Sequence, residues 1–320
     1  YIRKRRIICL IFTMDLNMKE KIYQAQCIGN VEPIEYMIPY PSMRSLIEGQ
    51  NIKFSKQLIF SNLSITNYEF YILVQKTAKW LLEMDIKPKS RIIISGDDPF
   101  LTTLLLFGIW HLGATAVLIG EIDLSYVKEK IKYEHQISIN KQSFDAISKL
   151  SDNFIPTHKP LLNEEAIVIF KEGHGIRLSH YNLLVNVNSI SKLLNLSSQS
   201  RISIQLPCDS IGWIILGSIL PIYSGLIIDN SNPEITIGLK GCDYNIRYDL
   251  ESILNFSITD IGICPENSGC LSLGSEPIHL TSFSIDNRKL RITGHSVMMG
   301  YLNESQNQKS FYNRSLNIKV

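Results

Sequence analysis

The segment RIIISGDDPFLTTLLLFGIWHLGATAVLI, residues 91–119, decides the fold class. Arg91 to Ser95 is a short β-branched run and reads as a strand. Asp98-Pro99 then reads as a helix start, with Asp as N-cap and Pro at the first helical position. The helix is predicted to run to about Leu112, where Gly113 breaks it. Thr115 to Ile119 reads as a second buried strand. A strand, a helix and a strand in this order make a βαβ unit, and so a parallel sheet covered by helices.

Upstream, Thr66-Asn67-Tyr68-Glu69 has the spacing of a capping box. Phe70, Leu73, Val74, Ala78, Leu81 and Leu82 follow on one helical face, and Lys87-Pro88 ends that region. Residues 1–50 show no clear periodicity. Downstream, a charged helix is predicted near Leu124 to Glu134 and a weak strand at Gln136 to Ile139. The pattern then recurs. Ala166 to Phe170 reads as a strand. Ser179 caps a helix bearing Leu183, Leu184, Val187, Ile190, Leu193 and Leu194. Arg201 to Leu206 is a strand, Ile211 to Tyr223 a helix, and Leu226 to Ile228 a strand. Asp249 to Leu254 reads as a short helix. Residues 261–320 are rich in Gly, Ser and Asn, with short strands such as Lys289 to Thr293. The expected fold class is α/β: two sandwich-like subdomains with mostly parallel sheets and a small β-rich C-terminal piece. The division expected is 1–45 as an N-terminal extension, 46–260 as the core (about 46–160 and 161–260), and 261–320 as the β-rich portion.

The chain has 320 residues, 45% of them hydrophobic, which is ordinary for a globular core. Its 32 basic and 30 acidic residues nearly cancel, so charge gives no case for a nucleic-acid partner. The six cysteines, Cys9, Cys27, Cys208, Cys242, Cys264 and Cys270, include no Cys-x-x-Cys pair and read as free intracellular thiols. Leu101 to Ile119 and Ile211 to Ile228 carry no formal charge and approach the length of a membrane span. The breaks at His111-Leu112-Gly113 and Ser224-Gly225 make each a buried helix followed by a strand, so no membrane insertion is expected. Arg3, Lys4, Arg5 and Arg6 precede the short apolar run Ile7 to Phe12, without the small-residue cleavage site of a signal peptide. The natural start is expected at Met14 or Met18, and the location is expected to be cytoplasmic.

Leu290-Arg291-Ile292-Thr293-Gly294-His295-Ser296-Val297-Met298-Met299-Gly300-Tyr301-Leu302-Asn303 resembles a segment of the adenylate-forming, AMP-binding superfamily: Gly-x-x-Val-Met-x-Gly-Tyr after a strand. Leu178-Ser179-His180-Tyr181-Asn182-Leu183 resembles the run that opens that family's helix after its phosphate loop. Phe256-Ser257-Ile258-Thr259-Asp260 resembles its Tyr-Gly-x-Thr-Glu. Thr66 to Ile94 and Gly113 to Ile119 look like its early helix and strands. Together these cover roughly residues 50–312 in family order.

The resemblance implies an acyl-CoA synthetase-like ligase, truncated and divergent. Such a protein uses ATP and Mg to turn a carboxylic (fatty) acid into an acyl-adenylate and then a thioester, with CoA or a carrier-protein thiol as acceptor. In that chemistry the protein positions groups and stabilises charge. By resemblance, Thr259 and Asp260 would contact phosphate and Mg, and Phe256, Ser257 and Gly241 would lie against adenine. Lys171, Gly173, His174 and Gly175 would be the remnant of the phosphate loop. Asp209, after Pro207-Cys208, would sit near the acyl pocket or cap a helix. The loop is several residues shorter than the family's and lacks its hydroxyl cluster, its Pro and the adjacent Lys. Backbone amides near Gly173 and Gly175 could form an anion nest, or the segment could be a plain strand-to-helix connection. The family continues to a Thr-Gly-Asp triplet, which is not found between Phe311 and Val320, and to a C-terminal lid domain, which is expected to be absent. Three readings follow: a ligase, a non-catalytic pseudoenzyme or acyl- or nucleotide-binding interaction module, and a membrane-associated protein.

Overall fold

The computed structural model describes residues 17–33, 38–120, 122, 124–131, 133 and 135–320. The basic arm, the apolar run beside it, Cys9, Met14 and Glu134 lie outside the described residues. Two larger sheets and one small one organise the chain. The first has five strands, in spatial order His135–Ser138, Arg91–Ser95, Thr115–Leu118, Glu165–Lys171 and His174–Ser179. Its first four strands are parallel, and the last pairs antiparallel with Glu165–Lys171. The second has nine strands, in the order Glu276–Pro277, Gly269–Leu273, Asp260–Cys264, Tyr244–Arg247, Ile235–Gly238, Arg201–Gln205, Ile227–Ile228, Leu58–Phe60 and Ile65–Thr66. Its central run is parallel, with antiparallel pairs at both edges. The third is a four-stranded antiparallel sheet, in the order Thr281–Asp286, Lys289–Gly294, Ser315–Lys319 and Phe311–Tyr312. This is the mixed α/β architecture the sequence predicts. Strand pairing runs across the linear segments: Glu165–Lys171 completes the sheet begun by Arg91–Ser95, and Leu58–Phe60 joins the sheet built mainly from residues 201–277.

The helix starts obey local chemistry. Thr66 and Glu69 form both bonds of the capping box before Asn67–Glu83. Phe70, Val74, Ala78 and Leu81 are buried, whereas Leu82 is exposed. Asp98 caps Pro99–Leu112 by accepting the Leu101 amide at 2.8 Å. Residues 102–112 of this helix are all buried, as befits a helix apolar on every side that lies within a core. At 14 residues it is shorter than the ~20 a bilayer needs. No helix among the described residues is long and apolar enough to cross a membrane.

Several elements differ from the sequence reading. Ile211–Ser224 is helical, but Ile214–Ile219 widens into a π-helix just before Pro221. Proline has no N–H to donate and its ring crowds the carbonyl four residues back, so the ladder shifts register ahead of it. The N-terminal region holds two helices the pattern did not reveal, residues 17–26 and Met43–Phe54. In the second, buried Arg44 and Gln50 interrupt the apolar stripe. Arg44 donates to the carbonyls of Pro156 and His158, and Gln50 donates to those of Ile222 and Tyr223. Polar side chains with backbone partners can face a core without reading as apolar. The short helix expected at Asp249 to Leu254 is a 3₁₀ turn, Leu250–Asn255.

The segment 294–302 staples the parts together. Asn182 Nδ2 donates to the carbonyls of His295 (3.2 Å) and Val297 (2.9 Å), and Gln26 Nε2 donates to those of Val297 and Met298 (both 3.0 Å). Gly294 turns into this segment with φ 138°, and a Cβ there would lie 2.2 Å from the Leu280 carbonyl oxygen. Gly294→Ala is expected to destabilise the fold by about 2–4 kcal/mol. Urea unfolding would read this as a lower midpoint at an unchanged slope; a midpoint equal to that of the unsubstituted chain would refute the close packing.

Candidate functional site

Phosphate-loop chemistry, if present, belongs between Phe170 and Ser179. The structure folds this stretch as a tight β-hairpin. Phe170 pairs with Gly175 and Lys171 with His174, leaving a two-residue turn, Glu172-Gly173. Both turn residues have positive φ, 49° and 78°. This is the type I′ geometry whose twist matches paired strands, with glycine at a position that favours it. Of the two expected residues, Gly173 lies in this turn and Gly175 lies within the returning strand. The segment is not a direct strand-to-helix link, because His174–Ser179 intervenes before the helix His180–Leu194. The Gly173 carbonyl accepts the Tyr126 hydroxyl at 3.0 Å.

Behind the hairpin lies a compact polar group. Lys171 Nζ sits 3.6 Å from Glu266 Oε1, and the Tyr301 hydroxyl donates to the same oxygen at 3.4 Å. Cys264 Sγ lies 3.5 Å from Glu266 Oε2. The Glu266 side chain is 7% exposed. Burial works against the Lys171 ammonium, but Glu266, with Cys264 and Glu172, outweighs it and holds the lysine above its usual pKa. Burial, then Glu266, raises the Tyr301 phenol well above its ordinary range. Lys171 thus keeps its positive charge beside Glu266. His174 stands edge-on to Tyr301, with ring centres 5.8 Å apart.

A cavity of about 730 Å³ opens beside this group. Lys171, Glu172 and Asp209 line it together with Phe170, Ile211 and Tyr248. Asp209 is exposed and does not cap the following helix; Ser210 does, accepting the Trp213 amide at 3.2 Å. The neighbouring Cys208 thiol is pushed up to about 12 by burial and then by Asp98, Asp209 and Asp97, so it stays protonated and weakly nucleophilic.

The other expected residues gather elsewhere. Strand register sets Gln205, Gly238, Asn245 and Asp260 side by side across four strands. Thr259 and Asp260 enter the last of these, while Gly241 lies on the exposed turn between the second and third. Phe256 is half-buried and packs over Gly262, where a Cβ would lie 3.3 Å from its ring. Ser257 is exposed, with its hydroxyl 3.5 Å from that of Thr259. None of these five residues lines the 730 Å³ cavity. Both Asp260 oxygens are engaged: Arg247 Nε donates to Oδ1 at 2.9 Å and the Ser257 amide to Oδ2 at 2.8 Å. Burial raises the Asp260 pKa, but Ser257 and Arg247 outweigh it and hold the acid below its ordinary value. Among the described residues, no group of three or more His, Cys, Asp or Glu side chains is arranged to hold a metal. The sequence reading missed Glu266, an isolated acid in a polar tail whose role appears only once Lys171 is placed beside it.

A carboxyl with a depressed folded-state pKa contributes stability above the unfolded value, near 3.9 for Asp, and loses it as pH falls through the folded value. Asp260→Asn should therefore cost about 1–2 kcal/mol at pH 7. Its deficit against the unsubstituted chain should shrink as pH falls below about 4. A deficit that stays constant across urea melts from neutral to acid pH would assign the loss to something other than the charge.

No protein-family model matches the sequence, and no curated protein matches it. Solved structures do. The unliganded O-succinylbenzoate coenzyme A synthetase from Bacillus subtilis superposes with a TM-score of 0.70 at 14% identity, covering 85% of this chain and 75% of its own. The N-terminal domain of FACL13 from Mycobacterium tuberculosis gives 0.70 at 11% identity, over 86% of this chain and 95% of its own. A long-chain-fatty-acid-CoA ligase from Archaeoglobus fulgidus gives 0.67 at 12% identity, over 89% and 83%. The chain has the fold of the N-terminal domain of adenylate-forming acyl-CoA synthetases.

Proposed function

We propose that this chain is a ligand-binding counterpart of the adenylate-forming ligases, one that holds a carboxylic acid or an acyl-adenylate-like molecule without transferring AMP. The observation that carries this reading is the two-residue turn Glu172-Gly173. Phosphate cradles present several backbone amides and hydroxyls to an oxyanion. Here the hairpin is closed by Lys171–His174 pairing, Glu172 adds like charge, and Lys171 is already matched by Glu266 at 3.6 Å. Asp260, the expected Mg ligand, has both oxygens committed to Arg247 and Ser257. The residues present do not fit a magnesium-bound triphosphate, and no reaction step is assigned to one.

The cavity supports binding. Phe170, Ile211, Leu250 and Ile263 give it apolar walls; of the charged side chains on its lining, Lys171 and Lys319 are the cations, and the Lys171 ammonium keeps N–H donors beyond the one aimed at Glu266. This combination suits an aliphatic or aryl acid: most of the contact is apolar and one polar group fixes orientation.

A second reading keeps the ligase activity, with ATP and Mg as cofactors and CoA or a carrier-protein thiol as acceptor. What supports it is the company the fold keeps. The B. subtilis synthetase has been solved with ATP and magnesium ion and with the acyl-adenylate intermediate OSB-AMP, and McyG A-PCP with phenylalanyl-adenylate.

One set of assays separates the two. Under the proposal, aryl or long-chain carboxylic acids raise the melting temperature in a saturable way, and ATP–pyrophosphate exchange stays at background with Mg-ATP and the same acids. A ligand at about 100 times its Kd adds ~2.7 kcal/mol, which is readily measured. Exchange above background that Asp260→Ala abolishes would establish the ligase reading instead. Neither acid binding nor exchange, on a cooperatively folded sample, would sink both.

A further inference from the structure

The geometry points to a second, oxyanion-binding site in the pocket of about 380 Å³ lined by Lys89, Arg91, Glu164, Glu165 and Arg177. Its ligand is the phosphate or carboxylate group of a small metabolite. The pocket lies where the parallel strands of the five-stranded sheet begin. Arg91 and Glu165 are the first residues of their strands. The Glu172-Gly173 turn follows the opposite end of Glu165–Lys171, so the two sites sit at opposite edges of one sheet.

Its chemistry is that of a half-filled anion site. Arg91 grips Glu165 with two bonds, Nε to Oε1 at 2.7 Å and Nη2 to Oε2 at 2.9 Å. Arg177 Nε donates to Oε2 at 2.6 Å. One carboxylate, 12% exposed, is therefore shared by two guanidinium groups. Lys89 bonds Glu164 at 2.9 Å, and His158 Nε2 lies 2.9 Å from the other Glu164 oxygen. Three cationic side chains thus face two carboxylates, leaving one positive charge in excess. Burial raises the Glu165 pKa, but Arg91 and Arg177 outweigh it, so the carboxylate stays ionised and the balance holds at neutral pH.

Arg177 carries the inference furthest. Its backbone is fixed on both sides, with its N–H donating to the Gly300 carbonyl at 3.1 Å and its carbonyl accepting from Met299 at 2.9 Å. Its side chain spends only Nε on Glu165; among the described residues its two terminal nitrogens have no hydrogen-bond partner. A guanidinium edge held this way, in a recess with surplus positive charge, matches the paired oxygens of a carboxylate or phosphate.

The test titrates the purified full chain with inorganic phosphate and, separately, with malonate, against sodium chloride at matched ionic strength, by isothermal calorimetry. Saturable binding of one anion and not of chloride is expected, and the anion preferred identifies the group as phosphate or carboxylate. Arg177→Gln should weaken it by about tenfold or more, the scale of a lost charge-assisted fork. Lys89→Met removes a side chain that is 66% exposed, so it leaves the fold intact and should weaken binding in the same direction. No saturable binding of either anion, or binding unchanged in both variants, overturns the proposal. Binding lost in Lys171→Met but kept in Lys89→Met overturns it too, because it assigns the anion to the hairpin site.

Discussion

Backbone hydrogen bonds between Gly175–Arg177 and Met299–Leu302 fix the arrangement on which both recesses depend. Arg177 exchanges bonds with Gly300 and Met299, and Leu302 donates to Gly175 at 2.8 Å. The strand His174–Ser179 is thereby paired on both edges, with Glu165–Lys171 on one side and this segment on the other. The same segment reaches back through the Met298 amide to the Glu266 carbonyl at 2.9 Å. Glu266 is thus fixed opposite Lys171, and Arg177 is fixed beside Glu165. Without this clasp the strand His174–Ser179 would be a free edge.

That clasp also changes the character of the loop. A phosphate cradle must stay open enough to admit a nucleotide, so its backbone donors cannot be consumed within the protein. Here the Gly175 carbonyl and both backbone groups of Arg177 serve the clasp, and the turn itself is two residues long. The sheet gains pairing where a longer loop would leave its backbone open. Pairing Lys171 with Glu266 follows the same direction: the Glu266 carboxylate is buried and needs a cationic partner within the protein.

Much of the fold was legible because it rests on local chemistry. The capping box at Thr66, the Asp98-Pro99 start and the Ser179 cap are short-range devices whose hydrogen bonds the sequence spells out. Met43–Phe54 was hidden because buried Arg44 and Gln50 are satisfied by carbonyls of residues more than a hundred positions away. The π-helix before Pro221 was half visible: proline announces a disturbance but not its form. For the site, the shortness of the 171–178 segment was visible as a missing stretch. Its closure into a type I′ hairpin was not, because Glu172 at positive φ is uncommon and is held there by pairing on both flanks. Glu266 and the Arg91–Glu165–Arg177 group left no local signal, since their members come together only through strand register and the clasp.

The two recesses differ in a way that follows from strand direction. In a parallel sheet the carboxyl ends of the strands face one edge and the amino ends the other, and ligands usually meet the carboxyl ends. The apolar cavity lies at that edge, where Phe170 and Lys171 end Glu165–Lys171. The charged recess lies at the other, where Arg91 and Glu165 begin their strands. The antiparallel strand His174–Ser179 connects them, since it starts at the first edge and carries Arg177 to the second.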